Sequence, residues 1–224
     1  MTKLYHGSRY IIDKPKYGGG KPYNDYGLGF YCTQSIEMAN EWAVDIDKDG
    51  FCNCYEIDDN DLRILYLNDG NYTILHWLTI LLQNRIFHVS SPLAYEAKEY
   101  LTMNFSIDYE SYDVILGYRA DDSYFSFAQD FLNGQISLRQ LKNAMYLGNL
   151  GEQYVLKSEK AFCKIQHMKS IRVSHKEWFS KKIKRDKQAR KEYFDLDKNK
   201  RIKGDIYILQ ILDEEMKAND PRLR

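Results

Sequence analysis

The spacing of hydrophobic and polar residues predicts a chain of short strands and helices in mixed order. KLYHG (3–7) and FCNCYEI (51–57) alternate in the manner of half-buried strands. Short apolar runs predict further strands at GFYCT (29–33), YDVILG (112–117), EQYVLK (152–157) and KSIRV (169–173). Because strands and helices are mixed without a regular βαβ order, we expect the α+β class.

Helical periodicity predicts five helices. Ser35 is suited to cap a helix that begins at Ile36, and Ser137 is suited to cap another over 137–147. The other three are expected over 73–87, which is apolar on nearly all sides, and over 176–194 and 205–217. Residues 9–27 hold two prolines and four glycines, which predicts a long functional loop.

The composition is typical of a soluble globular protein of one domain, with or without an extension. Of its 224 residues, 44% are hydrophobic and 29% are charged. No stretch is long and apolar enough to span a bilayer, and the N-terminus has no secretory signal, so we expect a cytoplasmic location. Cys52 and Cys54 form a C-x-C motif without the second pair that a zinc site needs, so we expect free thiols and no metal.

Charge is unevenly distributed, although the net charge is zero. Residues 164–203 hold 15 Lys and Arg against 5 Asp and Glu, so the rest of the chain is acidic. This asymmetry predicts that the C-terminal part contacts an anionic partner, either an acidic protein or the phosphates of a nucleic acid. A solvated helix that folds back on the acidic part of the chain explains the asymmetry equally well.

Two motifs near the N-terminus resemble those of a known enzyme family. LYHGSR (4–9) is followed by YGLGFYCT (26–33) and then by a predicted helix. This order is similar to the diphtheria-toxin and poly(ADP-ribose) polymerase branch of the ADP-ribosyltransferases, and most similar to a stand-alone bacterial group within it. The resemblance covers roughly residues 3–172. It implies a split β-sandwich core with flanking helices, an NAD-binding domain over 1–173 and a basic helical extension over 174–224.

The resemblance implies a role for each matching residue. His6 matches the histidine that holds the adenosine ribose, Gly7 matches the glycine whose backbone pairs with the nicotinamide amide, and Ser8 continues the motif with a hydroxyl suited to a ribose. Tyr31 matches the tyrosine that stacks on nicotinamide, and Trp42, eleven residues later, matches the aromatic residue on the other ring face. Taken singly, such residues are more often structural. Their order and spacing together favour an NAD site, since two rings form a flat slot and glycine lets a backbone approach closely.

The third motif of that family is a glutamate on a later strand. Aligning the Tyr154-Val155 pair with this strand puts Gln153 at the glutamate position and Glu152 directly before it. Cleavage of the nicotinamide bond passes through an oxocarbenium-like state. A carboxylate at ~4 Å stabilises that state by about 4 kcal/mol at an effective dielectric near 20. Gln153 offers only a dipole and Glu152 points to the opposite face of a regular strand, so the sequence favours NAD binding over fast transfer.

A charged cluster accompanies the strand predicted at 112–117. Arg119 is suited to pair with the NAD pyrophosphate. Asp121 or Asp122 is a candidate for the missing carboxylate or for binding the acceptor, and Asp113 belongs to the same cluster. The alternative, which we favour for these acids, is a turn with solvated carboxylates after a strand.

The resemblance implies a mono-ADP-ribosyltransferase that uses NAD as co-substrate and modifies a protein or a nucleic acid. Its stand-alone bacterial relatives imply a toxin of a toxin–antitoxin or phage-defence pair, with an acidic antitoxin as partner. Polymer formation is not expected, because the polymerising members use the glutamate that Gln153 replaces. Other hypotheses stay open: a module that binds NAD or ADP-ribose without transfer, an NAD glycohydrolase and, more weakly, nucleophilic catalysis by Cys32.

Overall fold

The chain folds into two sheets with helices around them, and this α+β architecture confirms the predicted class. The structure is a computed structural model and describes residues 1–87, 89, 91–120, 122–147, 151–195 and 202–224. The strands in this part are β1 (Thr2–Ser8), β2 (Phe30–Cys32), β3 (Gly50–Ile57), β4 (Ile64–Tyr66), β5 (Val114–Tyr118), β6 (Glu152–Leu156) and β7 (Ile165–Val173). The helices in the same part are α1 (Ile36–Ala43), α2 (Ile74–Asn84), α3 (Pro92–Asn104), α4 (Asp122–Leu132), α5 (Leu138–Ala144), α6 (Glu159–Lys164), α7 (His175–Asp195) and α8 (Ile208–Asp213).

The two sheets meet where β1 lies beside the end of β2. One sheet has three antiparallel strands in the order β1-β3-β7, and the other has the order β2-β6-β5-β4, in which only β4 and β5 run parallel. A bridge joins the sheets, because Tyr5 and Thr33 exchange backbone N–H···O bonds of 2.8 and 2.9 Å. The segment between β1 and β2, predicted as a loop, contains neither strand nor helix over 9–27.

The predicted helix caps are confirmed. The Ser35 hydroxyl accepts a hydrogen bond from the Met38 N–H at 3.2 Å at the start of α1. Ser137 forms a capping box with Gln140 at the start of α5, so each side chain accepts from the other residue's backbone N–H. The helix expected over 73–87 is α2, with Thr73 as its cap and nearly every residue buried.

The last predicted helix is too long. We expected a helix over 205–217, but α8 covers only Ile208–Asp213. Glu215 has φ 50°, which is a left-handed conformation that helices do not continue through. The N–H groups of Met216 and Glu215 bond back to the carbonyls of Ile211 and Leu212, which closes the helix with a Schellman motif.

The basic helix α7 lies against α1, in agreement with the alternative that the C-terminal part folds back on the chain. Arg185 and Glu41 form an ion pair of 2.7 Å, and Lys182 donates to the Val44 carbonyl at 3.3 Å. Tyr193 is buried, and its hydroxyl donates to Asp130 at 2.5 Å. The division of the chain at residue 173 stays a prediction. Within the described ranges, no helix combines the length and the apolar character that crossing a membrane requires.

Candidate functional site

A cleft of about 530 Å³ opens where β1 meets β2, and its size lies in the range of small-molecule sites. Five of the predicted site residues line it: His6 from β1, Tyr31 from β2, Trp42 from α1, Arg119 after β5, and Gln153 from β6. The structure therefore brings together residues that lie up to 147 positions apart in sequence.

The charge of the cleft is mainly positive. Among the described residues that line it, Lys14, Lys16, Arg85 and Arg119 are basic, and Asp25 is the one acidic residue. The two lysines come from the loop between β1 and β2, and Arg85 directly follows α2. A concave surface with positive charge attracts anionic groups such as phosphates.

His6 is fixed by the neighbouring strand. Its Nδ1 lies 2.6 Å from the carbonyl oxygen of Tyr31, and its ring centroid lies 4.5 Å from that of Phe30. A carbonyl only accepts hydrogen bonds, so Nδ1 carries the hydrogen and Nε2 of the neutral ring is left as an acceptor. Burial lowers the pKa of His6, although the bond to the Tyr31 carbonyl acts in the opposite direction. The neutral, acceptor form therefore dominates at neutral pH.

Tyr31 is held by its hydroxyl group. The hydroxyl donates to the Gly27 carbonyl at 2.7 Å and accepts from the Tyr26 N–H at 3.0 Å. Burial raises the pKa of Tyr31 well above its usual value, so the phenol stays neutral. These two hydrogen bonds fix the Tyr31 ring as a wall of the cleft. They also stabilise the turn at Gly27, whose φ is 71°.

Trp42 and Arg119 form a second wall. The guanidinium carbon of Arg119 lies 4.6 Å from the centroid of a Trp42 ring, which is a cation–π contact. The indole Nε1 of Trp42 is buried and has no hydrogen-bond partner within the described part of the chain. A buried N–H without a partner is costly, so it is available to an acceptor on a ligand.

Gln153 is paired with a carboxylate that the sequence analysis missed. Its Nε2 donates to Oδ2 of Asp25 at 2.9 Å, and the Ala120 N–H donates to the same oxygen at 2.9 Å. Arg85 lies 3.7 Å from the other oxygen of Asp25. Burial raises the pKa of the Asp25 carboxyl, whereas the Ala120 N–H and the Arg85 guanidinium act in the opposite direction.

The orientation of the Gln153 amide follows from this pairing. Turning the amide over would bring its oxygen against Oδ2 of Asp25, and two acceptors repel each other. The Oε1 atom therefore faces away from Asp25, and it is buried without a hydrogen-bond partner among the described residues. The only sequence signal for Asp25 is its position in the glycine-rich loop, directly before the Tyr26-Gly27 turn.

Three predicted site residues do not line the cleft. Gly7 packs its Cα face against α1, where a Cβ would lie 2.0 Å from the Ala39 oxygen. Ser8 lies at the end of β1, and its hydroxyl accepts from the Tyr10 N–H at 3.2 Å. Glu152 is exposed and accepts from Nδ2 of Asn68 at 2.6 Å, because successive residues of β6 point to opposite faces.

Asp113 and Cys32 do not line the cleft either. Asp113 lies at the opposite end of β5 from Arg119, where it accepts from the Arg63 N–H at 2.8 Å and the Ser158 hydroxyl at 2.5 Å. The favoured alternative, a turn with solvated acids after this strand, stays a prediction, and α4 begins at Asp122. Asp121 and the side chain of Asp122 lie outside the described part of the structure. Cys32 is fully buried, and burial raises the pKa of its thiol, so the hypothesis of a nucleophilic Cys32 is wrong.

Comparison with known proteins identifies a family but gives no activity. The model of a family described as protein of unknown function (DUF3990) matches residues 2–167, which is most of the chain and includes every residue that lines the cleft. No curated protein and no solved structure matches the chain.

Proposed function

We propose that this chain, which belongs to the DUF3990 family, is a mono-ADP-ribosyltransferase that binds NAD in the cleft and moves ADP-ribose to a macromolecular acceptor. The observation that supports this most is the convergence of His6, Tyr31 and Trp42 on one cleft from three separate elements. A purely structural role for these residues would not require a shared open space between them.

Each wall of the cleft matches a different part of NAD. Nε2 of His6 is an acceptor suited to a ribose hydroxyl, and the Tyr31 ring is suited to one face of nicotinamide. The buried Nε1 of Trp42 can donate to a phosphate or amide oxygen. Arg119, together with the lysines of the loop, provides positive charge for the pyrophosphate.

The backbone of Gly7 supports a further contact. Tyr5 uses its N–H and C=O for the bridge to Thr33, so these groups point away from β3. Along a strand of an antiparallel pair, the N–H and C=O groups of successive residues point alternately toward the paired strand and away from it. Gly7 lies two residues after Tyr5, so its N–H and C=O also point away from β3, to the edge of β1 on the side of Thr33. We assign these groups to the amide of nicotinamide. The two sheets that meet beside this edge support the finer proposal of a split β-sandwich of the ADP-ribosyltransferase type.

The acceptor and the partner are proposed from charge. Exposed lysines of α7 form a basic face, which fits an acidic antitoxin or the phosphates of a nucleic-acid acceptor: Lys176, Lys181, Lys184, Lys187 and Lys191. With this partner the protein acts as a cytoplasmic toxin of a toxin–antitoxin or phage-defence pair. A second candidate is a module that binds NAD without cleaving it, and the amide at position 153 favours it because an amide carries no charge.

The test uses purified protein and NAD with a labelled adenylate phosphate. We expect the wild type to bind NAD and to transfer label to protein or nucleic acid in a cell extract. Tyr31→Ala should lose at least about tenfold in transfer, because one stacking wall is gone. Tyr66→Ala is the matched control, since Tyr66 is exposed on β4 and does not line the cleft.

The outcomes separate the candidates. Label that is bound but never cleaved identifies the binding module, and free ADP-ribose without labelled acceptor identifies an NAD glycohydrolase. If calorimetry detects no binding of NAD by folded wild-type protein, the NAD site itself is wrong. Circular dichroism of Tyr31→Ala controls for loss of the turn that the Tyr31 hydroxyl fastens.

A further inference from the structure

We infer that Asp25 and Gln153 work as a pair: Gln153 accepts a hydroxyl hydrogen of the ribose at the scissile bond, and Asp25 orients Gln153 and supplies the negative charge that stabilises the cationic transition state. This inference rests on the proposed function. Gln153 would touch the substrate, whereas Asp25 would not: it acts by positioning Gln153 and by its charge.

The reaction defines where negative charge is needed. The bond between C1′ of the ribose and the nicotinamide nitrogen breaks, and its electron pair leaves with nicotinamide as a neutral ring. C1′ becomes cationic until a nucleophilic atom of the acceptor bonds to it and releases its own proton to water. A carboxylate near the ribose favours this state because it attracts the developing positive charge.

Asp25 is the carboxylate available for this role. It is the one acidic residue in the described lining of the cleft, and the rest of that lining is positive or neutral. The Asp25 carboxyl lies deep, since Asp25 is 4% exposed. Burial raises its pKa, whereas the Ala120 N–H, the Arg85 guanidinium and the Gln153 amide favour the ionised form that the pairing uses. Attraction at low exposure is screened less by water than at the surface.

The free oxygen of Gln153 is the independent sign of a ligand. Gln153 is 5% exposed and lines the cleft, yet its Oε1 has no partner among the described residues. A buried acceptor without a donor is costly, and a ribose hydroxyl is a donor of the right kind. Because Asp25 occupies the Nε2 side, the acceptor side of the amide is the one presented to the ligand.

The test moves the carboxylate from one residue to the other. In Asp25→Asn the charge is lost, and the Gln153 amide is free to turn its donor side to the cleft. A charge roughly 7 Å from the cation at an effective dielectric near 20 corresponds to a rate factor of about 50. We expect kcat to fall by about that factor while KM for NAD changes by less than about threefold.

The double variant Asp25→Asn/Gln153→Glu restores a carboxylate at position 153. The asparagine amide introduced at position 25 can donate to this new carboxylate and still accept from the Ala120 N–H, so the hydrogen bonds of the pair are kept. We expect kcat to recover at least about tenfold over Asp25→Asn. A merely structural Asp25 would not produce this recovery. If Asp25→Asn does not fold, Gln153→Met tests the other half of the pair: it keeps the volume and the Asp25 charge but removes the acceptor for the ribose hydroxyl, so kcat should fall with little change in KM for NAD.

Two results would overturn the pairing while leaving the proposed function intact. One is a folded Asp25→Asn with kcat within about threefold of the wild type. The other is a loss in Asp25→Asn that the double variant does not recover. Wild-type protein that neither binds nor cleaves NAD would instead refute the proposed function and the pairing with it.

Discussion

Replacing Gly7 by alanine tests whether the cleft depends on the close contact between β1 and α1. A Cβ built on Gly7 would lie 2.0 Å from the Ala39 carbonyl oxygen, 2.6 Å from the Ala43 nitrogen and 2.7 Å from Cβ of Trp42. Non-bonded heavy atoms prefer separations of about 3.5 Å or more. The first two atoms belong to the backbone, so no change of rotamer relieves the overlap, and α1 must move by more than ~1 Å.

The cost follows from the size of that movement. Overpacking a well-packed contact typically destabilises a protein by about 1–3 kcal/mol, and overlap with rigid backbone belongs at the upper end. We therefore expect Gly7→Ala to lower the free energy of unfolding by about 3 kcal/mol. For a chain of this size, each kcal/mol shifts Tm by roughly 2–4 °C, so Tm should fall by about 6–12 °C.

The change should also reach the cleft. Trp42 sits on the part of α1 that must move, and Arg119 lies over its ring. We expect the affinity for NAD to fall at least about tenfold in a titration followed by tryptophan fluorescence, under conditions where the variant is folded. Gly70→Ala is the control, because Gly70 has φ 86° and open space around it, so it carries backbone strain of about 1 kcal/mol without overlap.

The reasoning fails if urea unfolding shows Gly7→Ala to be no less stable than Gly70→Ala. It also fails if Gly7→Ala is destabilised as expected but binds NAD like the wild type. The second result would mean that α1 retreats without carrying Trp42 out of the binding position. Either outcome would remove the link between this glycine and the wall of the cleft.

Two further predictions concern stability. Burial lowers the pKa of His6, so the unfolded state takes up a proton first as the pH falls below about 6.5, and the folded state is destabilised. In His6→Asn this acid-dependent loss of stability should be smaller. It is measured as the shift of the urea midpoint between pH 7.5 and 5.5. Arg185→Ala leaves the Glu41 carboxylate buried without its guanidinium, so we expect a loss of about 3 kcal/mol by urea unfolding. Arg190→Ala, which removes an exposed pair within α7, should cost at most about 0.5 kcal/mol, and equal effects of the two changes would contradict the buried pair.

The parts of the fold that the sequence predicted are those with local causes. Ser35 and Ser137 begin their helices because a side-chain oxygen satisfies an N–H only three residues away. The helix α2 is apolar on nearly all sides because it lies inside the core. In each case the signal and the structure that it indicates share the same few residues.

The errors in the predicted fold also have physical causes. The helix α3 was missed because the residues that it buries, Ala94, Ala97 and Leu101, form a narrow stripe with a weak hydrophobic pattern. The helix α8 was extended too far because Glu215, a good helix former, adopts a left-handed conformation. At Glu215 the backbone hydrogen bonds of the Schellman motif outweigh the helical preference of the side chain. No local sequence pattern predicts this end of the helix.

The same limit explains why the sequence motifs did not point to Asp25, the carboxylate that we propose for the site. Alignment with a strand motif can offer only neighbours in sequence, so it offered Glu152, which the alternation of β6 turns to the outside. Asp25 and Gln153 are 128 positions apart and come together only because the loop before β2 closes over β6. A catalytic charge has to be near the reacting atom in space, and it does not matter which wall of the cleft provides it. The absence of an acid at position 153 is therefore a weak argument for an inactive binding module as long as Asp25 lies 2.9 Å from the amide that replaces it.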